Sequence, residues 1–180
     1  MKDICSKYNI PTAAYKSFTE KKLACDYLKN HTFPVVIKAS GLAAGKGVTI
    51  ATSLNDGLLA VNDIFNDKFG SGCELVIEEF MDGEEASYFV FTDGTNYIPL
   101  SSAQDHKRIG DGDTGPNTGG MGAYSPAPVF TKEIQKQVDQ EMIEPTLKAM
   151  RDLGSPYQGI LYAGVMIKNN KAKLVEYNVR

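Results

Sequence analysis

The sequence predicts an α+β protein in which short antiparallel strands alternate with a few amphipathic helices. The dipeptides Asp93-Gly94 and Asn169-Asn170 each separate two runs of strand-forming residues, which is the pattern of a β-hairpin with a two-residue turn. Elsewhere, apolar residues recur at helical spacing and indicate helices that bury one face. Antiparallel hairpins with separate helices are typical of the α+β class.

Two lobes are expected. The 180 residues give material for one ordinary domain or two small lobes. We expect a small α+β lobe over 11–77 and a second lobe over 78–180 built on antiparallel strands. Residues 1–10 read as a helix that is already under way, and the last strand stops at Arg180 without a cap or turn. We therefore expect the chain to be a fragment of a longer protein.

In the first lobe, the elements begin after Pro11, which ends the opening helix. Thr19 is the candidate N-cap of one helix and Ser53 of another, since both side chains can accept a hydrogen bond from the first turn. The predicted elements are strands at 13–18, 34–38, 48–51 and 75–79, and helices from Thr19 to about residue 30 and from Ser53 to about residue 67.

In the second lobe, a hairpin over 85–101 precedes a long polar loop at 104–128. Thr131 caps a long helix that ends near Leu153. Pro145 inside this helix predicts a kink or break, because proline lacks the N–H of the helical hydrogen bond. The last predicted strands are 159–167 and 171–179.

Composition excludes several classes of partner and location. The net charge of −3 disfavours nucleic acid or an anionic membrane as the main partner, since both attract a basic surface. No apolar run approaches the length of about 18 residues that a membrane-spanning helix needs, and there is no signal-peptide core. Three scattered cysteines without a C-x-x-C pair argue against a zinc site and favour a reducing, cytoplasmic compartment.

The glycine-rich segment 110–122, G-D-G-D-T-G-P-N-T-G-G-M-G, is the most informative part of the chain. Six of its thirteen residues are glycine, and the string Q-D-H-K-R at 104–108 adds cationic side chains just before it. Glycine lets the backbone approach a ligand closely and adopt positive φ. The segment is thus suited to enclose a small anionic ligand, with a flexible connector as the alternative.

A second glycine-rich loop, G-L-A-A-G-K-G at 41–47, follows a strand that ends in Lys38. Backbone N–H groups and an ammonium in such a loop neutralise phosphate oxygens. It is not a Walker A loop, because only three residues separate Gly41 from Gly45 and no Ser or Thr follows Lys46. We expect a hairpin lid over phosphates, with an ordinary tight turn as the alternative.

Two further strings carry candidate ligand residues. The run V-I-E-E-F-M-D-G-E-E-A at 76–86 indicates a hinge whose backbone reads a base edge and whose Glu85 accepts from sugar hydroxyls; a solvated acidic turn is the alternative. In the last strand, Glu176, Asn178 and Arg180 share one face because side chains alternate. The two oxygen ligands suit Mg²⁺ and the guanidinium suits a carboxylate or phosphate; a solvated sheet face is the alternative.

Taken together, seven strings of the chain resemble the ATP-grasp superfamily, and more closely its glycinamide ribonucleotide synthetase (phosphoribosylamine–glycine ligase) family. They occur in the family's order and cover nearly the whole chain, and the 104–128 block is specific to this ligase family. The strings are P-T-A-A-Y at 11–15, V-V-I-K-A-S-G-L-A-A-G-K-G-V at 35–48, I-E-E-F-M-D-G-E-E-A-S at 77–87, Q-D-H-K-R at 104–108, D-T-G-P-N-T-G-G-M-G-A-Y-S-P-A-P at 113–128, G-I-L-Y-A-G at 159–164 and V-E-Y-N-V-R at 175–180.

The resemblance implies an ATP-grasp fold, with two lobes whose antiparallel sheets enclose ATP, and it implies a role for each matching residue. The implied ligands of the ATP phosphates are Lys2, Lys38, Gly45, Lys46 and Gly47. The implied adenine contacts are Glu78, Glu79, Phe80 and Met81, and the implied ribose ligand is Glu85. The implied ligands of Mg²⁺ (or Mn²⁺) are Glu176 and Asn178. The implied substrate-binding residues are Asp105, His106, Lys107, Arg108, Asn117, Thr118 and Arg180, and Arg180 and Lys46 are the implied catalytic residues.

The resemblance also implies a reaction of purine biosynthesis. Glycine and 5-phosphoribosylamine are joined at the expense of ATP to give glycinamide ribonucleotide, ADP and phosphate through a glycyl phosphate. The family has further domains on both sides of the matching region, so we expect the isolated chain to bind ATP without full turnover. Another ATP-grasp carboxylate–amine ligase and a nucleotide-binding module without catalysis are the alternatives.

Overall fold

A computed structural model describes residues 1–40, 47–66, 74–112, 114–118 and 121–179, without the side chains of residues 116 and 117. Its contacts divide the chain into a small unit, Ala13–Met81, and a large unit, Met1–Thr12 with Asp82–Arg180. The divisions lie within a few residues of the sequence-based boundaries. The opening segment, which the sequence set apart, packs with the large unit, because Cys5 and Ile10 are buried in its core.

Strands outnumber helices along the chain. None of the helices in the described ranges is long and apolar enough to cross a membrane. In chain order the elements are α1 (Lys2–Lys7), β1 (Tyr15–Phe18), α2 (Lys21–Lys29), β2 (Val35–Ser40), β3 (Val48–Ala51), α3 (Leu54–Phe65), β4 (Glu74–Glu79), β5 (Glu84–Thr92), β6 (Tyr97–Pro99), β7 (Gln104–Asp105), β8 (Arg108–Gly110), β9 (Thr114–Asn117), β10 (Ala123–Tyr124), α4 (Lys132–Val138), a π-helical segment (Asp139–Ile143), α5 (Glu144–Asp152), β11 (Gly159–Lys168) and β12 (Lys171–Val179).

The small unit is a four-stranded antiparallel sheet in the order β1-β4-β2-β3, with α2 and α3 packed on one face. Alternate strand residues point into this core because side chains of a strand point to opposite faces. The residues that form the centre of the core are Leu28, Val35, Ile37, Val61, Ile64, Leu75 and Ile77.

The two predicted helix caps of the small unit differ in outcome. The Ser53 side chain accepts a hydrogen bond from the Asp56 N–H, and the Asp56 carboxylate accepts one from the Ser53 N–H. This capping box satisfies two backbone donors of the first turn and confirms Ser53 as the N-cap. The prediction for Thr19 was wrong, because α2 begins one residue later, with Glu20 as its N-cap and no side-chain bond.

The large unit has a four-stranded antiparallel sheet in the order β12-β11-β5-β6. One face is buried under α1, α4, the π-helical segment and α5, in a core that includes Tyr88, Met142 and Leu161. The predicted turn between β11 and β12 is confirmed. Asn169 and Asn170 both have positive φ, at 51° and 59°, which the two-residue turn requires and asparagine tolerates.

The helix after Thr131 is interrupted at the position that Pro145 predicts. The Thr131 side chain accepts from the Ile134 N–H to cap α4, and Pro145 lies in the first turn of α5. In an uninterrupted α-helix, the proline ring would clash with the carbonyl of Glu141. The π-helical segment Asp139–Ile143 has a wider helical turn than an α-helix, lies just before the proline, and avoids this clash.

The expectation of one long polar loop over 104–128 was wrong. The segment contains two short antiparallel pairs, β7 with β10 and β8 with β9. Ser87 and Ala103 exchange two backbone hydrogen bonds of 2.8 and 2.9 Å, which fix the start of the segment beside β5. The pairing of β7 with β10 and the contact of Ser87 with Ala103 join residues distant in sequence, so local glycine content did not show them.

Candidate functional site

The candidate site of the large unit is the sheet face opposite the core. In the antiparallel register, Gly164 of β11 is paired with Ser87 of β5 on one side and with Glu176 of β12 on the other. Glu85 and Asn178 lie on the same face, two residues from this row along their own strands. We call the face formed by Glu85, Ser87, Tyr162, Glu176 and Asn178 the polar face.

A β-bulge places Glu176 on the polar face. The pairing of β11 with β12 shifts between Gly164/Glu176 and Val165/Leu174, so Val175 is an extra residue in β12. If β12 were regular and had no bulge at Val175, strict alternation would put Leu174 on the same face as Glu176. With the bulge, Leu174 and Tyr177 both pack into the core, and Glu176 and Asn178 both lie opposite it.

Glu176 and Asn178 lie beside each other and are the residues predicted to hold a cation. The Asn178 amide nitrogen donates to Glu176 Oε1 at 2.9 Å, which leaves Asn178 Oδ1 and Glu176 Oε2 for a cation. Among the described residues, no group of three or more His, Cys, Asp or Glu side chains could hold a metal by itself. This donor set fits Mg²⁺, which usually takes one or two protein oxygens and completes its shell with water and phosphate oxygens. Arg180 lies outside the described residues.

Three charged side chains meet at the other end of the polar face. Lys107 Nζ lies 3.2 Å from Glu85 Oε1 and 3.4 Å from Asp105 Oδ2. Burial lowers the pKa of Lys107, but the two carboxylates outweigh it and raise the pKa above its usual value. The lysine is therefore held as a cation between β5 and the segment that follows β7.

The other predicted substrate residues lie along the same segment but make different contacts. The His106 ring packs against Tyr124 at 5.2 Å, and Arg108 Nη1 donates to the Gly115 carbonyl at 2.8 Å. Thr118 N–H donates to the Lys107 carbonyl at 2.9 Å. Asn117 belongs to β9, where its backbone is paired with that of Arg108.

In the small unit, the structure brings Lys38 and Glu78 together. They lie on adjacent strands, β2 and β4, and Lys38 Nζ is 3.0 Å from Glu78 Oε2. The Glu78 side chain is only 3% exposed, so its charge needs a close cation. Lys38 was predicted as a phosphate ligand from its place before the glycine loop and from the family resemblance, and the structure places the Glu78 carboxylate beside it.

The neighbouring nucleotide-site predictions fall partly outside the described residues. Gly45 and Lys46 lie there, whereas the Gly47 carbonyl accepts from the Ala39 N–H at 2.9 Å. After Glu78 the strand ends at Glu79, whose N–H donates to the Ala14 carbonyl at 2.9 Å. Phe80 is exposed and Met81 is half-buried.

Lys2 has a structural contact. It is 8% exposed, and its ammonium donates to the Thr12 hydroxyl at 2.7 Å, which in turn donates to the Leu174 carbonyl at 2.7 Å. This chain of hydrogen bonds ties α1 to β12 and gives Lys2 a reason to be buried.

Two residues of the polar face were missed by the sequence analysis, Ser87 and Tyr162. Ser87 Oγ donates to the Tyr162 hydroxyl at 3.4 Å. Burial raises the pKa of Tyr162, and the carboxylates of Glu85 and Glu176 raise it further. Alternation within G-I-L-Y-A-G would have placed Tyr162 and Gly164 on one face, but only the register joins that face to Glu176.

Comparison with known proteins places the chain in a family. The model of the phosphoribosylglycinamide synthetase, ATP-grasp (A) domain, matches residues 1–180. A chloroplastic phosphoribosylamine–glycine ligase of Arabidopsis thaliana is 57% identical over 184 residues, which cover 100% of this chain and 35% of the relative. The ligase of Rhizobium meliloti is 54% identical over 180 residues, which cover 99% of this chain and 43% of the relative. The chain thus spans about two-fifths of these relatives.

Solved structures agree on the fold. A phosphoribosylamine–glycine ligase from Thermotoga maritima superimposes with a TM-score of 0.90 and 35% identity, covering 99% of this chain and 46% of that one. A D-alanine–D-alanine ligase from Bacillus anthracis complexed with ATP has a TM-score of 0.66 at 21% identity, covers 99% of this chain and 53% of that one, and shares the fold alone. The predicted α+β ATP-grasp fold is confirmed, and the chain belongs to the phosphoribosylglycinamide synthetase ATP-grasp (A) domain family.

Proposed function

We propose that this chain is the nucleotide-binding part of an ADP-forming ligase that joins glycine to 5-phosphoribosylamine. The observation that carries the proposal is the contact of Lys107 with Glu85. Lys107 belongs to the block whose sequence is specific to this ligase family, and Glu85 is the carboxylate assigned to the nucleotide ribose. An ion pair between them connects the segment that would select the substrate with the site that would hold ATP.

The resemblance assigns nucleotide-binding roles to residues in each unit. In the small unit, Lys38 with Gly45, Lys46 and Gly47 would bind the ATP phosphates, and the backbone of Glu78, Glu79, Phe80 and Met81 would bind adenine. In the large unit, Glu85 would accept from the ribose hydroxyls. Lys2 is given a structural role instead, because its ammonium is buried and bonded to Thr12.

Glu176 and Asn178 would hold a divalent cation, Mg²⁺ or Mn²⁺, through the two oxygens that their mutual hydrogen bond leaves open. The cation would neutralise phosphate oxygens. The structure of a biotin carboxylase domain from Hydrogenobacter thermophilus, which shares the fold at 18% identity, was solved with the magnesium salt of ADP. That neighbour supports a divalent cation and leaves open which ion this chain uses.

The residues of the site suit attack of a carboxylate on the γ-phosphate. Bringing two unit negative charges to about 4 Å costs about 4 kcal/mol at an effective dielectric constant of about 20. Lys46 and Arg180 would offset this repulsion and stabilise the charge of the transition state. Asp105, His106, Lys107, Arg108, Asn117 and Thr118 would position the acceptor amine, which then attacks the glycyl phosphate.

The setting of the reaction follows from its substrates. Glycine and 5-phosphoribosylamine are small polar molecules, and their product is a purine precursor. Cys5 and Cys25 are free thiols, which suits a reducing compartment such as the cytoplasm.

The first test is isothermal titration of Mg-ATP into this chain, beside Glu176→Gln and the control Glu141→Gln. Glu141 is an exposed glutamate of the π-helical segment, so its loss should leave affinity unchanged. We expect binding that falls at least tenfold in Glu176→Gln only, because one of the two cation ligands is removed. Equal binding by all three proteins would remove Glu176 from the site.

The second test addresses the substrates and uses the full-length protein. ADP release should require glycine and 5-phosphoribosylamine together. Release that occurs equally with other amino acids or amines would favour another carboxylate–amine ligase. ATP binding without any release of ADP would favour a nucleotide-binding module.

A further inference from the structure

Tyr162 lies in the centre of the polar face. It is on β11, the strand between β5 and β12, two residues before Gly164. A Cβ placed on Gly164 would lie 2.9 Å from the Tyr162 hydroxyl oxygen. The hydroxyl therefore lies directly over Gly164, in the row formed by Ser87, Gly164 and Glu176.

The ring of Tyr162 is fixed by its neighbours. It packs against Phe89 at a centroid distance of 5.3 Å, and Phe89 is its register partner on β5. Ser87 Oγ donates to the phenolic oxygen at 3.4 Å. Aromatic packing and this contact hold the hydroxyl over Gly164, so its position does not depend on a ligand.

The hydroxyl has a hydrogen to donate. In the part of the chain that the structure describes, Tyr162 accepts from Ser87 and its own O–H has no acceptor. The side chain is half-buried, and a half-buried donor without an acceptor loses part of its hydration without compensation. A phenol keeps its proton at neutral pH, because its ordinary pKa is about 10. The group is thus a neutral donor facing the site.

We propose that the Tyr162 hydroxyl donates a hydrogen bond to an oxygen of the metal–nucleotide ligand, at the level of Glu176. The acceptor is either a phosphate oxygen or a water on the cation, since both are oxygen acceptors beside a carboxylate ligand. The inference rests on the proposed function, because it takes the polar face as the place where the nucleotide and its cation bind. It adds a positioning residue outside the set that the sequence indicated.

The absence of a side chain at position 164 is part of the same arrangement. A methyl group there would approach the hydroxyl oxygen to 2.9 Å and the ring atoms to 3.3 and 3.4 Å. The phenol would have to move from its place over the row. Gly164→Ala should therefore weaken ligand binding in the same way as loss of the hydroxyl, although it leaves every polar group present.

The test is titration of Mg-ATP into Tyr162→Phe, Gly164→Ala and the control Tyr97→Phe, with thermal unfolding of each. Tyr97 is on the same sheet, and its hydroxyl lies 3.3 Å from Glu144 on the helical side. We expect both site variants to bind about tenfold more weakly, as for loss of a hydrogen bond to a charged group. Tyr97→Phe should bind like the unchanged chain.

Repeating the titration with ATP and a chelator distinguishes the acceptors. A loss of affinity in Tyr162→Phe that persists without the cation would identify a phosphate oxygen. A loss seen only with Mg²⁺ would identify a water on the cation. General damage to the sheet would also weaken both titrations, but it would lower the unfolding temperature, whereas loss of a contact to the ligand would not.

Two results would overturn the proposal, and they differ in whether the proposed function is overturned with it. If the unchanged chain binds Mg-ATP and Tyr162→Phe binds it equally well, Tyr162 does not contact the ligand and the proposed function stands. If the unchanged chain does not bind Mg-ATP, the polar face is not a nucleotide site and both proposals are withdrawn.

Discussion

Lys107 forms ion pairs with Glu85 of β5, in the four-stranded sheet of the large unit, and with Asp105 of β7, in the segment that begins at Gln104. Its ammonium lies 3.2 Å from Glu85 on β5 and 3.4 Å from Asp105 on β7. Glu85 Oε1 contacts this lysine, so a ligand that binds the Glu85 carboxylate would share it with Lys107. A ligand that binds Glu85 would therefore change the charge environment of the 104–118 segment, which gives the proposed nucleotide and substrate sites a direct physical connection.

The pairing of Lys107 predicts a pH-dependent contribution to stability. Because its carboxylate neighbours raise its pKa above the usual lysine value, the contribution is full below that usual value. It is lost as pH rises through the pKa of the folded state. The difference in melting temperature between the unchanged chain and Lys107→Met should be constant from about pH 7 to 10 and shrink above about pH 10.5.

Lys171→Met is the matched control for this comparison, since Lys171 is an exposed lysine at the start of β12. Its melting temperature should follow that of the unchanged chain at each pH. A difference for Lys107→Met that stays constant up to pH 11.5 would contradict the ion-pair interpretation.

Asp139, a half-buried carboxylate of the large unit, contacts the core residue Tyr88, and its protonation should set the cost of removing the Tyr88 hydroxyl. Tyr88 donates to Asp139 Oδ1 at 2.7 Å. Burial raises the pKa of Asp139, and the negative charge of Glu144 raises it further. The hydrogen bond from Tyr88 lowers the pKa, but the net shift is upward. A raised pKa means that Asp139 favours folding most at low pH and less as pH rises.

Tyr88→Phe should cost about 1–3 kcal/mol at pH 7, because a half-buried carboxylate loses one of its two side-chain donors, Gln135 being the other. The cost should be smaller at pH 4, where Asp139 is partly protonated. Urea denaturation at both values measures it. Tyr157→Phe removes a hydroxyl that donates to the neutral Ile160 carbonyl, so its cost should be equal at the two pH values.

The capping box of α3 predicts a local stability effect. Ser53→Ala should destabilise the small unit by about 1 kcal/mol, as for other N-cap replacements. Thr19→Ala is the control, since α2 begins after Glu20 without a side-chain cap. Equal losses for the two variants in urea denaturation would show that the Ser53 contact does not stabilise the helix.

The buried pair of Lys38 and Glu78 predicts strong coupling. Each of Lys38→Met and Glu78→Gln should destabilise the small unit by about 3 kcal/mol, because one partner is left without its counterpart. The double variant should lose less than the sum of the two. Additive losses in urea denaturation would mean that the two side chains contribute independently.

Much of the fold could be predicted because it is encoded locally. Ser53 and Asp56 are three residues apart, and Pro145 acts within one helical turn. The Asn169-Asn170 dipeptide indicates the turn by itself, because asparagine tolerates the positive φ that the turn requires. The prediction of Thr19 as an N-cap was wrong because a cap-forming residue shows that a helix can begin nearby. It does not show which of two adjacent residues is the N-cap.

The candidate site was predicted less completely because it depends on register. Glu176 and Asn178 were expected on one face, and strand alternation is enough for that. Tyr162 and Ser87 join them only because Gly164 is paired with both Ser87 and Glu176. The contact of Lys107 with Glu85 likewise depends on the position of β7 beside β5, which no short string contains.

The extra residue in β12 limits how this strand can change in length. Before Val175, the core-facing positions are even-numbered, at Ala172 and Leu174; after it, the core-facing position is odd-numbered, at the half-buried Tyr177. Deleting Val175 would restore strict alternation, because Glu176 would then follow Leu174 directly and every remaining side chain would keep its face. A one-residue deletion at Val175 should therefore be tolerated better than deletion of Tyr177, which would turn Asn178 toward the core, and the bulge is a position where β12 can lose a residue without exchanging its two faces.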